Sequence, residues 1–231
     1  MMYPGNILVV AAHPDDEILG CGGTIARLVE EGNTVHVLIV AEGATSRRDD
    51  REDTSSREIN KLRAAATKAA GILGAQAPHY AGLPDNRLDG QERLDIIKTI
   101  ERVLEATRPS TVYTHHAGDL NVDHRRLHEA VLTACRPLPG SSVQSIFAFE
   151  TVSSTEWSST AFPPFVPNRF VDITGQLDKK IQALDQYDME MRPYPHARSQ
   201  ENVVALARHR GASAGLHAAE AFMVVREIVA R

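Results

Sequence analysis

The chain has 231 residues, 42% hydrophobic and 24% charged, which is enough apolar material for one substantial core and little for a second domain. Its formal net charge of -5 offers no basic field to a phosphate backbone, so nucleic acid is excluded as an expected partner. Cys21 and Cys135 lie far apart and outside any CxxC pattern, which excludes a disulfide framework and a cysteine-based metal site and makes the cytoplasm the expected compartment.

One domain is therefore expected over residues 1–231. Met1 to Asn6 carries no basic segment, and the apolar run Ile7–Ala12 is too short for a signal-peptide core or a membrane span. Aliphatic and without alternation, that run reads as a strand buried on both faces, as in a parallel sheet. An amphipathic helix is expected from Ile18 to Glu31, stopped by Gly32-Asn33, and a second strand from Thr34 to Ala41. Arg47 to Asp53 is a run of mixed charges that reads as a solvated loop. A long Ala-rich helix follows from Ser56 to Leu73, closed by Gly74. His79–Leu83 is a short strand, Glu92–Thr107 a helix, and Thr111–His115 a strand. Asp123 is expected to cap a helix running to about Cys135, where Pro137 forbids continuation. Ser145–Glu150 is the fifth expected strand, and Thr151–Asn168 a long irregular loop carrying the only tryptophan, Trp157. Helices are expected over Leu177–Glu190 and Ser199–Arg210, and Glu220–Val229 fits strand or helix equally. Alternating strands and helices of this kind make an α/β fold with a mostly parallel sheet and helices on both faces.

Two clusters carry chemistry. Immediately after the first strand stands Ala12-His13-Pro14-Asp15-Asp16-Glu17, three carboxylates and an imidazole where a strand hands over to a helix. Ligands bind at that edge of open α/β sheets. On a helical turn, His13 and Asp16 face one point while Asp15 projects about 100° away. The bland alternative is that these acids merely favour the positive end of a helix. The second cluster, His115-His116-Ala117-Gly118-Asp119-Leu120-Asn121-Val122-Asp123-His124, also follows a strand and precedes a helix, so both clusters emerge on the same sheet edge. Two imidazoles and a carboxylate form the set that catalytic zinc uses with one open position.

The other histidines and glycines weigh less. His128 shares a helix face with Leu127, Val131 and Cys135 and reads as a packed residue; a metalloprotease HExxH motif is absent because Arg125 follows His124. His115 and His116 are read as backing or substrate groups, one of them ordinary loop. Gly20-Cys21-Gly22-Gly23 lacks the spacing of a phosphate loop.

On Ala12-His13-Pro14-Asp15-Asp16-Glu17 and Asp119-x-Asn121-x-Asp123-His124, the chain resembles the LmbE/PIG-L-like zinc N-deacetylases. Leu73-Gly74, Gly82-Leu83-Pro84-Asp85 and Ala219-Glu220-Ala221-Phe222 extend the similarity over most of its length. The resemblance implies a Rossmann-like α/β fold, a zinc ion on His13, Asp16 and His124, Asp15 as general base, and an N-acetylated amino sugar or its conjugate as substrate. One departure stands out: several branches of the family carry a histidine three residues before the last ligand, where this chain has Asn121. An amide donates a hydrogen bond to an oxyanion but is no general acid. Asn121, His116 and Asp123 are therefore the candidates for oxyanion or supporting roles. Trp157 is read either as a sugar platform or as a loop anchor, and Arg57, Arg63, Arg192 and the Pro195-His196-Ala197-Arg198 stretch either as contacts for substrate hydroxyl or phosphate groups or, the reading preferred, as surface charges. A homo-oligomer stays open. Two rival readings are a non-haem iron oxygenase built on His13-x-Asp15 with a distant histidine, and a sugar-binding relative without turnover.

Overall fold

The computed structural model describes residues 5–45 and 56–229, so the charged run Arg47–Asp53 lies outside the described residues. Seven strands form one sheet: β1 Asn6–Ala11, β2 Thr34–Ala41, β3 His79–Leu83, β4 Thr111–His115, β5 Ser145–Phe149, β6 Arg169–Asp172 and β7 Ala219–Glu227. They lie in the order β3-β2-β1-β4-β5-β7-β6. The first five are mutually parallel, and β7 and β6 close the edge antiparallel. Among the described residues six α-helices accompany them: α1 Asp16–Glu30, α2 Ser56–Leu73, α3 Arg93–Thr107, α4 Val122–Ala134, α5 Leu177–Leu184 and α6 Gln200–Ala212.

Side-chain alternation along β1 shows why its sequence is apolar throughout. Ile7 and Val9 join a core with Ile18 and Ile25 of α1, Ala66 and Ala69 of α2 and Leu184 of α5. Leu8 and Val10 face the opposite layer, against Ile96 and Ile100 of α3 and Leu127 and Val131 of α4. Helices therefore cover both faces, as the runs without alternation require. No described helix is long and apolar enough to cross a membrane.

Three local expectations change. Asn121, not Asp123, caps α4: its side chain accepts the Asp123 N–H, which places Asp123 inside the first turn with its carboxylate free to point elsewhere. The helix expected over Leu177–Glu190 ends at Leu184 and tightens into a 3-10 turn, Asp185–Tyr187, that drives Tyr187 into the core. The segment expected to be irregular holds a 3-10 turn, Thr155–Trp157, and is followed by the four-residue edge strand β6, too short and too half-buried to show a period. The tail resolves as strand β7.

Helix α1 is broken at Cys21, whose φ of -148° leaves the helical region. The freed N–H groups of Gly23 and Thr24 are taken by the two oxygens of Glu220 on β7, at 2.9 and 2.6 Å. Lys180 of α5 completes the joint by bonding Glu220 at 2.6 Å and the Leu19 carbonyl at 2.8 Å. Glycine is needed at position 20 because a Cβ there would stand 2.3 Å from the Phe149 ring. The glycine cluster serves close packing of a kinked helix on the sheet.

Candidate active site

The strand order reverses between β1 and β4, since the chain proceeds from β1 outward to β2 and β3 and then returns to the far side. That switch point is where the carboxyl ends of parallel strands open a crevice. Both sequence clusters leave the sheet there. At their base the Ala12 N–H donates to His115 Nε2 at 2.9 Å. That bond fixes Nε2 as the unprotonated nitrogen, and the Nδ1 side faces the Thr151 hydroxyl at 3.3 Å. Burial and the neighbouring His124 hold His115 well below the usual imidazole range, consistent with a neutral ring. His128, buried on α4, bonds the His115 carbonyl through Nδ1 at 2.8 Å and serves as a strut.

Three donor atoms converge above these loops. His13 Nδ1 stands 3.1 Å from Asp16 Oδ2, His124 Nε2 stands 3.2 Å from the same oxygen, and the two nitrogens are 3.4 Å apart. Ligands on a tetrahedral zinc ion with bonds near 2.0–2.1 Å stand roughly 3.3 Å from one another. The fit is supported by Asp16 Oδ1, which is buried with no hydrogen-bond partner. His13, Asp16 and His124 thus satisfy the size and chemistry of a three-ligand metal site. The local field asks for positive charge. Burial lowers His124, but Asp16 and Asp119 overcome it and lift the ring to about 9. Burial raises Asp16, but the charge of His124 and hydrogen bonds from His124 and His13 hold it well below the usual carboxylate range.

Each imidazole is backed by carboxylates on its far nitrogen, the arrangement that orients metal-binding histidines. Asp119 Oδ1 lies 3.2 Å from His124 Nδ1. Asp119 is itself held by the hydroxyls of Ser154 and Thr155 and by the Asn121 N–H. Asp123 Oδ2 and Asp85 Oδ1 lie 3.1 and 3.2 Å from His13 Nε2. Asp123 also accepts the Leu88 N–H at 2.9 Å. Asp119→Asn is expected to keep the fold and lower metal affinity about 10- to 100-fold, measured by competition with a chromogenic chelator.

Asp15 stands apart from the donor triangle. Its φ of 110° turns the backbone sharply before α1, and the carboxyl, 1% exposed, pairs through Oδ2 with Arg198 Nη1 at 3.0 Å. Burial pushes Asp15 well above the usual carboxylate range against the pull of Arg198. Glu17 accepts the Asp15 N–H at 3.1 Å on one oxygen and the Tyr187 hydroxyl on the other. Its burial raises it to about 7. The iron-oxygenase pattern required Asp15 among the donors; the carboxylate between the imidazoles is Asp16.

Other candidates are placed as follows. His116 is buried and donates from Nε2 to the Pro163 carbonyl at 2.8 Å, which joins the loop after β4 to the loop after β5. Asn121 caps α4 and donates from Nδ2 to Asn86 Oδ1 at 2.9 Å. Trp157 is 54% exposed beside His196, so it is not a core anchor. Arg198 is not a surface charge, since Asp15, Glu190 and Ser153 surround its head. The residues sequence reasoning left without a role are Asp85, Asp119 and Glu17, and the pairing of Arg198 with Asp15 was not expected. A carboxylate just past a parallel strand was the available signal for Asp85; the Arg198 pairing had none.

A family model, PIG-L (GlcNAc-PI de-N-acetylase), matches residues 8–135, the span from β1 to the end of α4 that contains every donor. The chain belongs to the PIG-L family. Among its relatives in the family is an Escherichia coli K12 protein, YaiS, described as an uncharacterized deacetylase. It is 31% identical over 188 residues, covering 79% of this chain and 90% of that protein. A diacetylchitobiose deacetylase from Thermococcus kodakarensis is 27% identical over 199 residues, covering 80% of this chain and 70% of that protein. The crystal structure of GalB from Pseudomonas putida KT2440, a 4-carboxy-2-hydroxymuconate hydratase, superposes with a TM-score of 0.76. It is 24% identical over 98% of each chain. The PIG-L fold therefore does not by itself choose the reaction, and the site must.

Proposed function

We propose that this chain is a zinc-dependent hydrolase that removes the acetyl group from an N-acetylated amino sugar or a conjugate of one. The observation that carries the reading is the donor triangle of His13, Asp16 and His124 with a separate buried carboxylate, Asp15, beside it. The deacetylase names of the family and of its relatives support the amide as substrate.

An amide demands a strong nucleophile, stabilisation of a tetrahedral oxyanion and protonation of a poor leaving group. Zinc, which His13, Asp16 and His124 would hold, would supply an acidified water and polarise the acyl carbonyl. The chain's own groups do the rest. Asp15 accepts the proton of the attacking water and returns it to the departing nitrogen, and a buried carboxyl with a raised affinity for protons suits both steps. Asp119, Asp123 and Asp85 keep the imidazoles turned toward the metal. A sugar-binding protein without turnover has no use for a separate carboxylate held buried at such a cost in desolvation.

Acetate release by zinc-loaded protein from a panel of N-acetylglucosamine, diacetylchitobiose and N-acetylglucosaminyl conjugates tests the reading. Silence across the panel with a full equivalent of zinc bound would sink it.

Asn121→Ala should cost about 1 kcal/mol of stability, the worth of a helix cap, and lower activity less than Asp15→Asn does. The Nε2 proton of His116 is already committed to Pro163, so His116→Ala should leave the shape of the pH–rate profile unchanged. Thermal melts and kcat/KM against pH check both variants. A His116→Ala enzyme that keeps its zinc but loses one limb of the profile assigns the acid role to His116 instead.

A further inference from the structure

Arg198 lies on the segment between α5 and α6, 183 residues from Asp15 in the chain, yet its guanidinium meets that carboxylate at 3.0 Å. The backbone on which it stands is pinned. The Arg198 carbonyl accepts the Arg192 N–H at 3.1 Å, the Arg198 N–H donates to His196 Nδ1 at 3.0 Å, and Ser199 caps α6. The head is pinned as well. Nε donates to Ser153 Oγ at 2.7 Å, and Nη1 is shared between Asp15 Oδ2 and Glu190 Oε2, the latter at 3.2 Å. A rigid planar fork held at three points presents one N–H in a fixed direction, which a flexible ammonium does not.

We propose that Arg198 is the positioning residue of Asp15: it binds Oδ2, locks the carboxyl rotation, and leaves Oδ1 as the oxygen that exchanges the proton. The proposal rests on Asp15 being the base. Among the described residues no side chain or N–H bonds Oδ1, whereas Oδ2 accepts the Arg198 N–H at 3.0 Å. Glu17 holds the same residue from the other side by taking its N–H, so backbone and carboxyl are fixed independently. Ser153 links this lock to the loop after β5, whose next residues, Ser154 and Thr155, hold Asp119 behind His124. Three consecutive residues of that loop thus set the direction of both the base and a proposed metal ligand.

The test compares Arg198→Ala, Arg198→Lys, Ser153→Ala and Asp15→Asn, all zinc-loaded, on any substrate the acetate panel identifies. Arg198→Ala should lose about 10²-fold in kcat, the scale of a misplaced reacting group, with KM and zinc content close to wild type. Added guanidinium should restore part of that loss, and should do nothing for Asp15→Asn. Arg198→Lys should remain impaired, since an ammonium is a single rotating centre and lacks the fixed fork that makes these contacts from Nε and Nη1. Ser153→Ala, which removes only the Nε contact, should show a smaller fall in kcat and covers the case in which Arg198→Ala does not fold. Raised KM with unchanged kcat would make Arg198 a substrate ligand, and zinc lost in step with activity would make it merely structural; either overturns the proposal. An inactive Asp15→Asn beside fully active Arg198 and Ser153 variants overturns positioning alone. An active Asp15→Asn overturns the base assignment itself.

Discussion

Asp15→Asn is expected to lower kcat/KM about 10²- to 10⁴-fold, the range of a positioned general base, while zinc content stays at one equivalent. The two effects separate because Asp15 lies outside the donor triangle and bonds Arg198 instead. The acidic limb of the profile should go with it. A carboxyl acts as base only when ionised, so wild-type activity falls as the pH drops through the Asp15 pKa, and an amide has no such transition. Steady-state kinetics with metal analysis decides the matter. Loss of zinc in proportion to activity would make Asp15 a ligand and remove the base from the mechanism.

Removing a donor should have the opposite signature. His13→Ala, Asp16→Ala and His124→Ala are each expected to lower zinc affinity by more than the 10- to 100-fold that a backing carboxylate is worth. Three protein donors leave none in reserve, and each substitution strands a partner. Without His124, Asp119 and Asp16 are two buried carboxylates that have lost the imidazole between them. Zinc should raise the melting temperature of wild type, because a ligand that binds only the folded state stabilises it, and should do so far less in the three variants. Elemental analysis after gel filtration and melting curves with and without zinc give independent readouts. A His124→Ala protein that holds a full equivalent as tightly as wild type would remove His124 from the set.

The parallel half of the fold was legible because buried strands must be apolar on both faces. Ile7–Ala12 and Thr34–Ala41 therefore announced themselves within one residue of their observed bounds, and Thr111–His115 did so through its β-branched and aromatic residues. Strand β6 was not legible, since four half-buried edge residues carry no period, and the end of α5 was hidden because Tyr187 turns inward to meet a side chain 170 residues away. The proposed donors were legible for a related reason: each follows a parallel strand, and His13 and Asp16 share one turn. The groups that support them come from elsewhere. Asp85 follows β3, Ser153 follows β5, and Arg198 stands in a loop whose sequence looks like any solvated connection. Their roles exist only after the chain has folded, and charge in a loop reads as exposure until a partner is seen.

The Glu220 cap on the broken helix bears on the order in which the molecule assembles. Every proposed metal ligand lies before residue 125, yet the helix that begins at Asp16 has its break closed by a strand 197 residues downstream of Gly23, with Lys180 completing the joint. Loop closure over such a separation comes late, when most other entropy has already been lost. A chain cut before Ala219 would still contain each donor but would leave the helix carrying Asp16 without its brace. Zinc uptake during refolding should accordingly follow docking of the final strand, so that metal capture reports the last step of folding rather than the first.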